Sequence, residues 1–227
     1  MANSLQEPSI IVEAFNTGCR RCGRLAAFLD QIRDQYPDYF AKPVPSFGDP
    51  NAHLLIVGLA PGMHGANATG RPFTGDFAGI LLYRTLFEFG FANRPISTAI
   101  DDGLELKDCR ITNAVRCLPP KNKPSTPEID TCNTFLADEL ALLPEGALVL
   151  ALGTIAHRAV LKAMEMKLST FAFGHGAKHR LPGGLVLLDS YHCSRYNTQT
   201  RRLTEDMFKN VFRTAREQLM AKNGSEV

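Results

Sequence analysis

HLLIVGLAPGMHGANATGRPFTGDFAGILLYRTLFEF, residues 53–89, reads as a buried strand, a long glycine-rich loop and a helix. The apolar run 53–59 has strand length, and 77–89 carries helical periodicity. Between them stand Gly58, Gly62, Gly65, Gly70 and Gly75, residues that let a backbone approach another group closely. The loop contains neither GxGxxG nor GK[ST], so neither a dinucleotide nor a P-loop nucleotide site is implied. Asp76 precedes the helix, a position that suits an N-cap and a catalytic carboxylate equally.

Three more segments repeat the first pattern: CRITNAV (109–115), ALVLAL (147–152) and LVLLDS (185–190) are short, apolar strands. Helices are expected at 126–143, with Thr126 as cap and Pro127 at the first helical position, at 154–165 after Gly153, and from Thr204 onward. Alternating strands and helices with near-continuous apolar strands imply a three-layer α/β/α domain around a central four-stranded, mostly parallel sheet. Ligands of such sheets sit beyond the carboxyl ends of the strands, which gathers the glycine loop, Asn113, GTIAHR and YHCSRYNTQT on one edge.

Four of the six cysteines read as one set. Cys19 and Cys22 are separated by two residues, and Cys117 and Cys132 bracket a fourteen-residue proline-rich loop. Spacing alone leaves zinc and an iron–sulfur cluster both open. Cys109 and Cys193 are expected to be buried packing residues. MANSLQEPSIIVEAF lacks the features of a secretory signal, and a reducing, cytoplasmic setting follows, in which paired cysteines favour metal over disulfides. No apolar run is long enough to span a membrane, so no membrane association is expected.

The chain has 227 residues, 44% of them hydrophobic, and a formal net charge of +2. One domain over residues 1–221 with a tail at 222–227 is expected, in a monomer. That net charge announces no polyanion partner, and local basic clusters such as Lys121 with Lys123 and the region of Arg195 must supply any nucleic-acid surface.

Taken together, GLAPGMHGANATGRPFTGD, ITNAVRCLPPKNKPSTPE with its flanking cysteines, FGHG and HCSRYNTQTRRLT resemble the signature segments of family 5 uracil-DNA glycosylases. The resemblance covers nearly the whole chain and implies the uracil-DNA glycosylase fold. It also implies a [4Fe–4S] cluster on Cys19, Cys22, Cys117 and Cys132, a hydrolase acting on N-glycosyl bonds in DNA repair, and duplex DNA with uracil or another deaminated base as partner. Carried over residue by residue, Asp76 and His192 match the catalytic pair and Asn113 the asparagine before the third cysteine. Phe73 takes the aromatic position that stacks on the base, and the backbone of Gly58, Leu59 and Ala60 contacts it. Ser194, Arg195 and Tyr196 are expected to enter the DNA minor groove, and Lys121 and Lys123 to face DNA. Cys193 departs from the family's usual proline. A second function class is a non-catalytic, cluster-bearing DNA-binding or redox-sensing protein, which would need neither Asp76 nor His192.

Overall fold

A computed structural model describes residues 15–223. The expected absence of a signal falls almost wholly on residues outside that range. The sheet has six strands in the order β1-β3-β2-β4-β6-β5. They are β1 (Phe47–Gly48), β2 (Leu54–Gly58), β3 (Cys109–Asn113), β4 (Leu148–Leu152), β5 (Lys178–Arg180) and β6 (Val186–Ser190). The four expected strands form the parallel centre, with Gly58 opposite Asn113 and Leu152 opposite Ser190. The four-stranded expectation is therefore corrected by β1 and β5, which pair antiparallel at the two edges. A two-residue strand and the charged Lys-His-Arg carry no apolar run, because an edge strand buries little and is blunted by charge.

Helices are α1 (Gly23–Gln35), α2 (Ala66–Thr69), α3 (Phe77–Glu88), α4 (Thr126–Ala141), α5 (Thr154–Ala163), α6 (Arg195–Gln199) and α7 (Glu205–Asn223). Every residue of β2, β4 and β6 is buried, and alternate side chains serve opposite faces. Leu54, Ile56, Leu148, Leu150 and Leu188 pack with Leu82, Leu86, Phe208 and Phe212 of α3 and α7. Leu55, Val57, Val149 and Leu187 pack with Leu136, Leu140, Val160 and Leu161 of α4 and α5. Two-sided burial, at about 1.5–3 kcal/mol per large aliphatic side chain, fixes the three layers.

The cap of α4 lies one residue earlier than expected: Ser125, not Thr126, closes a capping box with Glu128, and Pro127 falls in the second helical position. Helix α7 continues to Asn223, into the expected tail, and residues 224–227 lie outside the described range. Helix α1 went unread because it begins directly after the Cys19/Cys22 pair and holds its apolar face, Leu25, Leu29 and Ile32, against a satellite core with Val115, Leu118 and Phe135. Among the described residues, no helix is long and apolar enough to cross a membrane.

Candidate active site

The carboxyl ends of the four parallel strands surround a cavity of about 490 Å³. It lies where the chain order reverses between β2 and β4, the position that open α/β sheets use for ligands. Leu59 and Ala60 follow β2, Asn113 ends β3, Leu152 ends β4 with Gly153 after it, and His192 follows β6; all line it, together with Phe73 and Asp76.

Asp76 is both cap and cavity residue. Its Oδ1 accepts the Gly79 backbone N–H at 2.8 Å, closing the first turn of α3. Burial pushes its pKa up, against the opposing effect of the Gly79 and Ala78 amides. Gly65 makes room for it: a Cβ there would stand 2.6 Å from Asp76 Cβ and 2.9 Å from Oδ2. At Gly62 a Cβ would reach only to 3.8 Å from Oδ2, so Oδ2 borders the open side.

Phe73 is held in the left-handed region, at φ 57°, where a non-glycine residue is strained by about 1–3 kcal/mol. Its surroundings over-determine that conformation. A Cβ at Gly58 would stand 2.7 Å from the Phe73 ring and 2.3 Å from Asn113 Oδ1, and one at Gly79 would run into the Phe73 carbonyl. Gly58 therefore sits behind the cavity as the surface on which Phe73 and Asn113 pack. The carbonyls of Gly58 and Leu59 accept from Ala114 and Val115, which fixes the start of the loop. Asn113 is buried, and its amide keeps no hydrogen-bond partner among the described residues.

The His192 ring stacks on Phe73 with centroids 5.9 Å apart. Burial depresses its pKa to about 4, so the imidazole is neutral at physiological pH. Its Nδ1 is buried without a partner among the described residues. The loop beneath it is braced by a charged strut. Asp189, fully buried on β6, meets His157 Nδ1 at 2.8 Å and His179 Nε2 at 3.3 Å, while His157 Nε2 meets the Phe171 carbonyl at 3.1 Å. Burial opposes a charge on His157, but the Asp189 carboxylate and the Phe171 carbonyl outweigh it and raise the pKa. The FGHG segment is thereby drawn to β6, where His175 stacks on Tyr191 and its Nδ1 accepts the Tyr191 N–H at 3.1 Å, one residue before His192. Cys193 is fully buried in the same core, as is Cys109.

Of the residues expected to touch DNA, Ser194 and Arg195 line the cavity mouth, with Ser194 capping α6. The Arg195 guanidinium lies 5.9 Å from the Phe77 ring centre. Tyr196 lies outside the cavity lining, 71% exposed. Lys121 and Lys123 are exposed on the loop between Cys117 and Cys132. Asn122, between them, lines the cavity, as does Phe77, two residues that sequence reading passed over; Thr154 and Ile155 of the GTIAHR segment line it too. Lys121 and Asn122 both have φ 55°, a non-glycine left-handed pair that brings Asn122 across to the cavity. Asparagine adopts that conformation more readily than most residues, but the lysine before it gives no such signal.

The four cysteines converge away from this cavity. Cys19, Cys22, Cys117 and Cys132 line a small recess closed by Phe15, Leu25, Val115 and Phe135, and none is in a disulfide. Burial raises the Cys117 thiol, helped by its three neighbours, and pushes Cys132 up to about 11, although the Arg116 N–H, 3.3 Å from Cys132 Sγ, pulls the other way. Among the described residues, the ligand atoms of His157, His179 and Asp189 lie within 4.8 Å of one another, and the four thiols form no such group. Four thiols on one recess form an all-sulfur donor set of the kind that holds an iron–sulfur cluster. Arg24 ties this site to the basic loop, pairing bidentately with Glu128 at 2.6 and 2.7 Å and donating to the Lys123 carbonyl.

The profile of the Uracil DNA glycosylase superfamily matches residues 45–216. A Type-5 uracil-DNA glycosylase of Thermus thermophilus is 48% identical over 88% of this chain and 93% of its own length. One of Pyrobaculum aerophilum is 42% identical over 87% of each. A Type-4 uracil-DNA glycosylase of Saccharolobus solfataricus is 30% identical over 74% of each.

Proposed function

The chain belongs to the uracil DNA glycosylase superfamily, and from that premise we propose that it is a monofunctional glycosylase of the type-5 kind. It hydrolyses the N-glycosidic bond of uracil, and of other deaminated bases, in duplex DNA and leaves an abasic site for base excision repair. It acts as a cytoplasmic monomer. The observation that carries this reading is a single cavity lined by a half-buried carboxylate, a neutral imidazole, an unpartnered amide and a strained aromatic ring.

Breaking the C1′–N1 bond builds positive charge on the deoxyribose and negative charge on the departing pyrimidine. Asp76, with Oδ1 committed to its helix, has Oδ2 to orient a water, receive its proton and stabilise the cationic sugar. The water oxygen bonds to C1′ as the pyrimidine leaves as its N1 anion. Neutral His192 donates a hydrogen bond to that anion; losing one such donor costs about 100- to 1,000-fold in rate. Asn113 accepts from uracil N3–H and donates to O4, a pattern that cytosine reverses. The base must first leave the helix, which costs least at a mismatch, and Phe73 then stacks on it, worth roughly 1–3 kcal/mol. Ser194, Arg195 and Tyr196 support the opened duplex from the minor groove. Asn122 and Phe77 complete the mouth.

Cys19, Cys22, Cys117 and Cys132 would hold a [4Fe–4S] cluster, which supplies cross-linking of the chain and no step of the reaction. That bond network ties α1 to both ends of the Lys121/Lys123 loop. The test is Asp76→Asn on duplexes each carrying one uracil, followed by alkaline cleavage of abasic sites. Asparagine keeps the cap and should lower excision at least 100-fold; wild-type rates in a folded, iron-loaded variant would sink the assignment. DNA binding without base release by the wild-type protein would favour a non-catalytic role.

A further inference from the structure

We propose that Arg116 sets the reduction potential of the four-thiol site, with Glu139 as its electrostatic counterweight. This rests on the cluster reading above. Arg116 directly precedes Cys117, is almost fully buried, and lines the thiol recess. Its guanidinium lies 5.0 Å from the ring centre of Phe15, which closes that recess. One arm, Nη2, pairs with Glu139 Oε2 at 2.5 Å; the other, Nη1, is buried with no partner among the described residues.

An unpaired, desolvated N–H on a cation is costly unless something anionic receives its field. Four thiolates and their iron–sulfur core are such a group. The Arg116 backbone N–H already points at the site, 3.3 Å from Cys132 Sγ. Glu139 is shared, accepting also from Arg110 Nε at 3.3 Å, so the two arginines and one glutamate leave one net positive charge. One-electron reduction adds a negative charge at the thiol site, and a buried cation favours it. Removing Arg116 therefore disfavours reduction, and neutralising Glu139 favours it. Packing alone predicts no such opposition of sign.

The experiment uses anaerobically purified, iron-loaded wild-type, Arg116→Met, Arg116→Lys and Glu139→Gln proteins. Iron content is measured first, then the midpoint potential by mediated optical titration. Arg116→Met should lower the reduced-to-oxidised ratio at fixed potential about tenfold, which is 59 mV for one electron. Glu139→Gln should raise it, and Arg116→Lys should stay within threefold. Should Arg116→Met fail to fold, the sign of the Glu139→Gln shift carries the test. Shifts of one sign, or none, including uniform resistance to reduction, would overturn the proposal on an intact cluster. A wild-type protein without iron would instead remove the cluster reading on which it stands.

Discussion

Gly65→Ala should cripple catalysis without replacing a charged or polar side chain. The added Cβ would stand 2.6 Å from Asp76 Cβ, where ordinary contact begins at 3.4 Å. Roughly 0.8 Å must be recovered, and Gly65, as N-cap of α2, is itself held on both sides, its N–H donating to the Gly62 carbonyl and its carbonyl accepting from Ala68 and Thr69. Asp76 is the freer partner but is pinned by its bond to Gly79. Either the carboxylate moves by most of that distance or the cap breaks. A displacement near 1 Å costs on the order of 100-fold when reacting groups must align, and a lost cap costs about 1 kcal/mol of stability. Single-turnover excision from a uracil duplex measures the first, and a thermal melt the second. Gly62→Ala is the internal comparison: its Cβ meets Asp76 Oδ2 at an ordinary 3.8 Å, and its rate should stay within fivefold of wild type. Equal rates for Gly65→Ala and wild type would refute the claim that this carboxylate is positioned by glycine contacts.

Other outcomes follow from the same geometry. Because burial raises the Asp76 pKa, the carboxylate form should be lost, and kcat/KM should fall, at a higher pH than for an ordinary aspartate. His192, held near 4, should add no step around pH 6–7; an imidazole titrating near 6.5 by NMR would contradict its burial. The sign for stability is opposite to that for activity: an aspartate whose pKa is raised by folding destabilises the ionised fold, so Asp76→Asn should melt no lower than wild type at pH 7. Cys117→Ser should lose iron and thermal stability together, measured by iron assay and melting. Replacing Lys121 and Lys123 by alanine should reduce the slope of log affinity against log salt by about 1.8 if both contact phosphates; an unchanged slope would remove them from the interface.

The sheet centre was legible because fully buried parallel strands announce themselves as apolar runs, as LLIVG and LVLAL do. The edges were not, since Lys178–Arg180 pairs through its backbone and exposes its charges. Asp76, Asn113 and His192 were reachable because strand ends predict the site's place. Asn122 was hidden by distance along the chain: it reaches the cavity only because its loop is anchored to Cys117, Cys132 and Arg24, and because two residues accept left-handed backbone. The convergence of the four thiols on one recess, too, is a property of the fold that CxxC spacing alone does not carry.

The bond from Gly79 N–H to Asp76 Oδ1 gives the carboxylate a built-in reporter. The same proton that closes the first turn of α3 is hydrogen-bonded while Asp76 Oδ1 accepts it, so its exchange with solvent clocks how often the carboxylate lets go. Substrate that engages Oδ2 should slow that clock, and anything that frays the first turn should quicken it. A single amide resonance thus counts the fraction of molecules poised to act, before any bond in DNA is broken.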